Sequence, residues 1–142
     1  MVDNLRREDR SWCMSRIRSQ GMKPELVVRS MVHRLGHRFR LHRRDLAGKP
    51  DLVLPRHRAV IFVNGCFWHW HPDPNCPIAG LPKSNLEYWG PKLARTRVRD
   101  QEHTASLEAD GWRVLTVWEC HLRSPNDVIS RVQEFLDSGE RG

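Results

Sequence analysis

The residue best placed to do chemistry in this sequence is an aspartate that directly precedes an apolar run. Pro50 and Asp51 lead into Leu52-Val53-Leu54, so the Asp51 carboxylate stands at the entrance of a predicted strand. Phosphodiester hydrolysis needs a cation to neutralise developing charge, and Mg²⁺ is bound by one or two carboxylates together with waters and substrate phosphate. Taken alone, an aspartate before a strand is more often a turn residue.

A histidine after the next predicted strand supports the interpretation of Asp51 as part of a hydrolytic site. The strand 60–63 runs into Asn64-Gly65-Cys66-Phe67-Trp68-His69, which puts His69 near Asp51 if the two strands pair. An imidazole titrates near neutrality and can take a proton from an attacking water. His69 is alternatively a zinc ligand or a surface histidine, and spacing alone does not choose between it and His71.

Soft metal ligands are concentrated in the same segment. Zinc takes four nitrogen or sulfur ligands in a tetrahedron, and that count is met by Cys66, His71, Cys76 and Cys120. The stretch between positions 66 and 76 is aromatic and rich in proline, so a metal ion would brace a segment with little regular structure. Buried thiols and surface histidines are the alternative. Cys13 is left over as an ordinary helix thiol.

Aromatic and basic side chains offer a nucleic-acid surface. Phe67, Trp68 and Trp89 on a basic chain suggest wedges that enter a base stack, with packing around the metal as an equal alternative. The residues Lys92, Arg95 and Arg99 are three and four positions apart on a predicted helix and so share one face. Such a stripe can follow phosphates, although a solvated charged face is its commoner meaning.

Helices are predicted from apolar periodicity and from capping residues. A short helix is predicted over Arg10–Arg18, and a second begins at Pro24, ends near Gly36 and has an apolar stripe of Leu26, Val27, Met31 and Leu35. A long helix is predicted over Glu87–Ala109 and a last one from Pro125 to about Leu136.

Strands are predicted between these helices. The candidates are Arg38–Leu41, Asp51–Leu54, Ala59–Val63 and a buried strand over Trp112–Trp118, of which the second and third form a hairpin. Strands mixed with helices predict an α/β layered domain.

Composition limits the class of protein and its partners. A chain of 142 residues suits one domain, here 1–142, and the formal net charge of +7 favours a polyanion, nucleic acid before an anionic membrane. No apolar run is long enough to span a bilayer. The charged N-terminus lacks the apolar region of a signal peptide, so an intracellular protein, cytoplasmic and nucleoid-associated, is expected.

Four segments carry a resemblance to a known enzyme family. They are 60–69, which includes Gly-Cys-Phe-Trp-His, and Gly48–Asp51, Gly111–Leu115 and Val117–Cys120. In order and separation they closely resemble the very short patch repair (Vsr) DNA mismatch endonucleases. The resemblance covers nearly the whole chain. It implies a restriction-endonuclease-like fold, with a mixed central sheet flanked by helices, an N-terminal DNA-contacting arm over 1–22 and a structural zinc site.

The resemblance also implies an activity, which is nicking beside the thymine of a T·G mismatch left by deamination of 5-methylcytosine. The expected cofactors are catalytic Mg²⁺ and structural Zn²⁺. The expected partner is duplex DNA, with a cytosine methyltransferase or mismatch-repair factors as candidate protein partners. A monomer is expected because a mismatch is asymmetric.

Roles for individual residues follow from the same resemblance. Asp51 would bind the metal with the Val63 backbone carbonyl, His69 would be the general base supported by Asp100, and Glu25 would hold water bound to the metal. The zinc ligands would be Cys66, His71, Cys76 and Cys120. The DNA contacts would come from Met14, Phe67, Trp68, Trp89 and Lys92, and the basic stripe adds Arg95 and Arg99.

The sequence departs from the family pattern at three places. Val63 replaces a threonine, Asn64 replaces a histidine near the active site, and the gap from His71 to Cys76 is longer than expected. Any role as an acid that the family's histidine has at position 64 is therefore lost or moved to another residue. The rival hypotheses are a non-catalytic zinc-stabilised DNA-binding module and a nuclease of the same fold without mismatch preference.

Overall fold

A three-stranded mixed sheet forms the centre of the protein in the computed structural model, which describes residues 23–41, 43–67, 69, 71, 76 and 86–139. Strand β1 (Leu52–Leu54) pairs antiparallel with β2 (Ala59–Asn64), and β2 pairs parallel with β3 (Arg113–Trp118), in the order β1-β2-β3. The predicted hairpin and mixed sheet are thus confirmed. Three predicted features lie outside the described residues: the helix over Arg10–Arg18, Met14 and Trp68. The prediction of a single domain with an arm over 1–22 stays a prediction.

Three α-helices among the described residues cover the sheet, and their limits follow from proline and glycine. They are α1 (Pro24–Arg34), α2 (Leu86–Ala109) and α3 (Pro125–Gly139). Pro24 occupies the first turn of α1, where a missing N–H costs nothing. Gly36 follows α1 with φ +90° and Gly111 follows α2 with φ +89°, a left-handed conformation that glycine adopts without steric cost.

The core has two parts, one on each face of the sheet. Alternate residues of β1 point to opposite faces, so Leu52 and Leu54 pack with α1 and α3, whereas Val53 packs with Leu107 of α2. The first three residues of β2 are fully buried, as expected for a strand covered on both faces. The sequence therefore folds into helix, sheet and helix layers.

Three details differ from the sequence prediction. Arg38–Leu41 is not a strand, because β1 is too short to offer more than one partner, and Arg40 makes a single bridge to Val53. Leu26 is 40% exposed, since the buried face of α1 is centred on Val28 and Val32. β3 is mostly half-buried because it forms an edge of the sheet in the described part of the chain.

Membrane insertion has no support among the helices that the structure describes, none of which combines the length and apolarity that a bilayer span requires.

Candidate functional site

Asp51 lies at the entrance of β1, against the end of β2. The backbone N–H of Val63 donates a hydrogen bond to Asp51 Oδ2 at 2.6 Å. Burial raises the pKa of the Asp51 carboxyl, and the hydrogen bond from Val63 opposes that rise. The hairpin thus holds a half-buried carboxylate beside the residue whose carbonyl is predicted to bind metal.

Glu25 shares a cleft with Asp51. The cleft has a volume of about 260 Å³ and is lined by Glu25, Arg44, Lys49, Pro50 and Asp51. The Glu25 carboxylate also raises the pKa of Asp51, and it accepts a hydrogen bond from Arg29 one turn along α1. Two carboxylates beside two cationic side chains can hold a divalent cation and a phosphate together.

His69 and Asp100 form a hydrogen-bonded pair close to this cleft. His69 Nδ1 lies 2.7 Å from Asp100 Oδ2, and about a third of each side chain is exposed. Because a carboxylate only accepts, Nδ1 carries the proton and Nε2 is left as an acceptor. Protonation of His69 would lower the pKa of Asp51, an electrostatic effect that acts only between side chains near each other. His69 and Asp100 line their own cavity of about 310 Å³, so the structure places the four predicted catalytic side chains in two neighbouring sites, linked by the electrostatic effects of Glu25 and His69 on Asp51.

The predicted zinc ligands converge at a second place. The ligand atoms of Cys66, His71, Cys76 and Cys120 all lie within 4.8 Å of one another. Cys120 Sγ is 3.5 Å from His71 Nδ1, close to the edge of about 3.6 Å expected for a zinc tetrahedron with its usual bond lengths. The set of three thiols and one imidazole fits zinc, and Cys76 belongs to it despite its longer spacing. His69 does not, because it pairs with Asp100.

Neighbouring side chains hold this cluster together. The His71 ring stacks on Trp118 at 4.2 Å between centroids, and the Cys120 N–H donates to Cys66 Sγ at 3.3 Å. Burial raises the pKa of the Cys66 thiol to about 12, so a bound cation is what would ionise it. The cluster joins the segment after β2 to the end of β3, and could hold a metal ion such as zinc.

The aromatic and basic side chains meet at the start of α2. Phe67 and Trp89 contact edge to face, with ring centroids 5.4 Å apart, and Lys92 Nζ lies 5.5 Å from the Trp89 ring. Both rings are half-buried, so neither is an ordinary core residue. Lys92, Arg95 and Arg99 are exposed, as the predicted basic stripe requires, whereas Arg97 is half-buried beside His69 and Asp100.

Sequence reasoning missed several residues of these sites. Arg29 was detectable from its spacing of four from Glu25 on a helix. Lys49 lines the cleft with φ +50°, and nothing in the sequence indicates that geometry. The Glu119 carboxylate accepts from the Cys66 N–H at 3.4 Å, a contact between segments that follow the neighbouring strands β2 and β3, which no local pattern predicts.

Comparison with known proteins gives a consistent picture. Residues 2–75 match the family described as DNA mismatch endonuclease Vsr. The chain is 49% identical over 137 residues to the type II nicking enzyme V.XorIIP of Xanthomonas oryzae, covering 96% of this chain and 98% of that protein. It is 37% identical over 141 residues to the DNA mismatch endonuclease Vsr of Escherichia coli, covering 96% of this chain and 88% of that protein.

A solved structure shares the fold. The catalytic domain of the homing endonuclease I-Bth0305I superposes with a TM-score of 0.58 at 19% identity, over 83% of this chain and 97% of that one. At that identity the likeness supports the fold alone. The expected restriction-endonuclease-like architecture, with a mixed sheet between helices, is confirmed.

Proposed function

This chain belongs to the DNA mismatch endonuclease Vsr family and is a DNA endonuclease, and on that premise we propose that it nicks one strand beside the thymine of a T·G mismatch with the help of Mg²⁺. The observation that carries the proposal is that the cleft with Asp51 and Glu25 neighbours the hydrogen-bonded His69–Asp100 pair, with Glu25 and His69 both acting electrostatically on Asp51. A purely DNA-binding module has no use for this arrangement of carboxylates and imidazole.

Each side chain of the proposed centre has a distinct task. Asp51 and the Val63 carbonyl would hold Mg²⁺, with Glu25 orienting water at the mouth of the cleft. When bound, the ion neutralises charge on the scissile phosphate and polarises its oxygens. His69 Nε2 accepts the proton of the attacking water, and Asp100 keeps the imidazole in that orientation. Water adds to phosphorus, the bond to the 3′ oxygen breaks, and a 5′-phosphate and a 3′-hydroxyl remain.

Mismatch selection is assigned to the aromatic side chains. Phe67 and Trp89 present adjoining rings, and Trp68 and Met14 belong to the same set by resemblance. Inserting rings into a base step costs the stacking energy of that step, which is least where pairing is already weak. Lys92, Arg95 and Arg99 supply phosphate contacts along α2.

The Cys66, His71, Cys76 and Cys120 cluster is proposed to hold structural Zn²⁺. Four protein ligands would complete a tetrahedral shell around zinc and leave no position for substrate, as in structural rather than catalytic zinc sites. The ion would brace the segment that carries Phe67 and His69.

A nicking assay with Mg²⁺ on matched and T·G duplexes tests the function. The wild-type protein is expected to nick the T·G duplex at least about 10²-fold faster than the matched T·A duplex, because the mismatch lowers the cost of unstacking. Phe67→Ala should reduce this ratio more than it reduces affinity for matched DNA. The measurement is single-turnover nicking, with binding followed by fluorescence anisotropy.

The outcomes separate the candidate functions. Equal rates on the two duplexes would identify a nuclease of this fold without mismatch preference. Binding without nicking under any divalent metal would identify a non-catalytic module. Equal losses on both duplexes for Phe67→Ala would remove the wedge from the mechanism.

Asp100→Asn tests the pairing of His69. The amide can turn its NH₂ group toward Nδ1 and favour the wrong tautomer, so the nicking rate at saturating enzyme should fall about 10²-fold with DNA affinity unchanged. Glu102→Gln is the matched control, since Glu102 is an exposed acid on the same helix. An Asp100→Asn protein with wild-type turnover would show that His69 acts without this carboxylate.

A further inference from the structure

A basic groove lies at the opposite end of the sheet from the catalytic cleft. It has a volume of about 830 Å³ and is formed by the segment that follows α1 and by the turn between β1 and β2. Its ionisable side chains are His33, His37, Arg38, Arg40, Arg56 and His57, and none of the described residues that line it is acidic.

The groove is built on a fixed backbone frame. Arg40 and Val53 exchange two backbone hydrogen bonds of 2.8 and 3.0 Å, which tie one wall of the groove to β1. Arg113 Nη2 donates to the His57 carbonyl at 3.1 Å and ties the other wall to β3. The two walls meet where the His37 and His57 rings contact edge to face at 5.0 Å. Because this backbone frame is already fixed, binding of a ligand in the groove would not carry the free-energy cost of ordering a loop.

The charges of the groove point to an anion with several phosphates. Arg38, Arg40 and Arg56 are all exposed around one concave surface. Like charges on one surface repel each other unless a polyanion neutralises them. Guanidinium groups match the geometry of phosphate oxygens in bidentate fashion, and imidazoles add N–H donors.

We propose that this groove binds the phosphate backbone of DNA outside the catalytic cleft. Glu25 and Asp51 of the cleft lie at the beginnings of α1 and β1, whereas the groove lies just beyond their ends. The 11 residues of α1 span about 16 Å, which corresponds to about five base pairs at about 3.4 Å each.

Duplex DNA is favoured over an acidic protein because the endonuclease already holds DNA in its cleft. Flanking phosphates of that same molecule reach the groove at a high effective concentration. The proposal rests on the DNA endonuclease activity alone, and matched duplexes test it whether or not the mismatch preference holds.

The double variant Arg38→Gln/Arg56→Gln tests the groove. Affinity is measured without divalent metal, by anisotropy at several salt concentrations, on duplexes that extend about 3 or about 15 base pairs beyond the nick site. The variant should bind the long duplex about 10-fold more weakly, with a salt slope smaller by about 2, because two phosphate contacts are lost. Binding of the short duplex and single-turnover nicking at saturating enzyme should not change.

A charge-matched control uses Arg123→Gln/Arg131→Gln, which removes two exposed arginines outside the groove and the cleft. This control should keep wild-type affinity for both duplexes. The proposal is overturned if the groove variant, with an unchanged melting temperature, binds the long duplex like wild type, or weakens both lengths equally. It is also overturned if the variant loses binding to polyglutamate while its DNA affinity stays intact, which would make the groove a site for acidic protein.

Discussion

Asp51→Asn is expected to lower single-turnover nicking by at least about 10³-fold while leaving DNA affinity near that of wild type. Asparagine keeps an oxygen that can accept the Val63 N–H but has no negative charge for Mg²⁺. Losing the ion forfeits several kcal/mol of transition-state stabilisation, and each factor of ten in rate corresponds to about 1.4 kcal/mol. The measurement is nicking of a T·G duplex across a Mg²⁺ titration, with binding assayed separately.

Asp45→Asn is the matched control for the loss of a carboxylate from the same loop. Asp45 is exposed and pairs with Arg43 at 2.7 Å, so this variant should nick at the wild-type rate. If Asp51→Asn still nicks at a rate within about threefold of wild type, the assignment of Asp51 as the metal carboxylate is wrong.

The Asp51→Asn substitution should also make the metal-free protein more stable near neutral pH. Burial raises the pKa of Asp51 in the folded state, so ionisation of this carboxyl opposes folding at every pH above that raised value. This destabilisation by the ionised Asp51 carboxylate decreases as pH falls through the folded-state pKa, because the carboxyl then becomes protonated. The melting temperature of Asp51→Asn without metal should therefore exceed that of wild type at pH 7, and the difference should shrink in acid.

The second large effect is expected at the cysteine cluster. Cys120→Ala should abolish binding of one Zn²⁺ per chain and leave the protein partly unfolded at 25 °C. The apparent binding free energy of a structural zinc ion is about 10–16 kcal/mol, as large as the whole stability of a typical domain. The measurements are metal content after gel filtration and thermal unfolding followed by circular dichroism.

Cys13→Ala serves as the control for removing a thiol, because Cys13 is not one of the four predicted ligands. It should retain zinc and the wild-type melting temperature. A Cys120→Ala protein that still holds stoichiometric zinc, or a wild-type protein whose stability is unaffected by a strong chelator, would contradict a structural zinc site.

Local patterns in the sequence were sufficient for most of the elements. Pro24 marked the start of α1, Gly36 and Gly111 marked the ends of two helices, and the apolar runs on either side of Pro55–Arg58 predicted the β1–β2 hairpin. These signals act between residues close in the chain, through fixed backbone preferences and through alternation of side chains. The segment Arg38–Leu41 misled the prediction because its alternation was present without a long enough partner strand.

The sequence by itself determined which chemical groups this protein has: a carboxylate before β1, a histidine after β2, three cysteines and a histidine that count as a zinc set, and an excess of positive charge. Only the tertiary structure decided how those groups are divided. His69 and His71 are two positions apart, yet one pairs with Asp100 and the other joins the cysteines, because their partners come from distant elements. The cleft beside Glu25 and the basic groove also depend on how α1 packs on the sheet, and no local pattern contains the distance between segments that meet only in the folded chain.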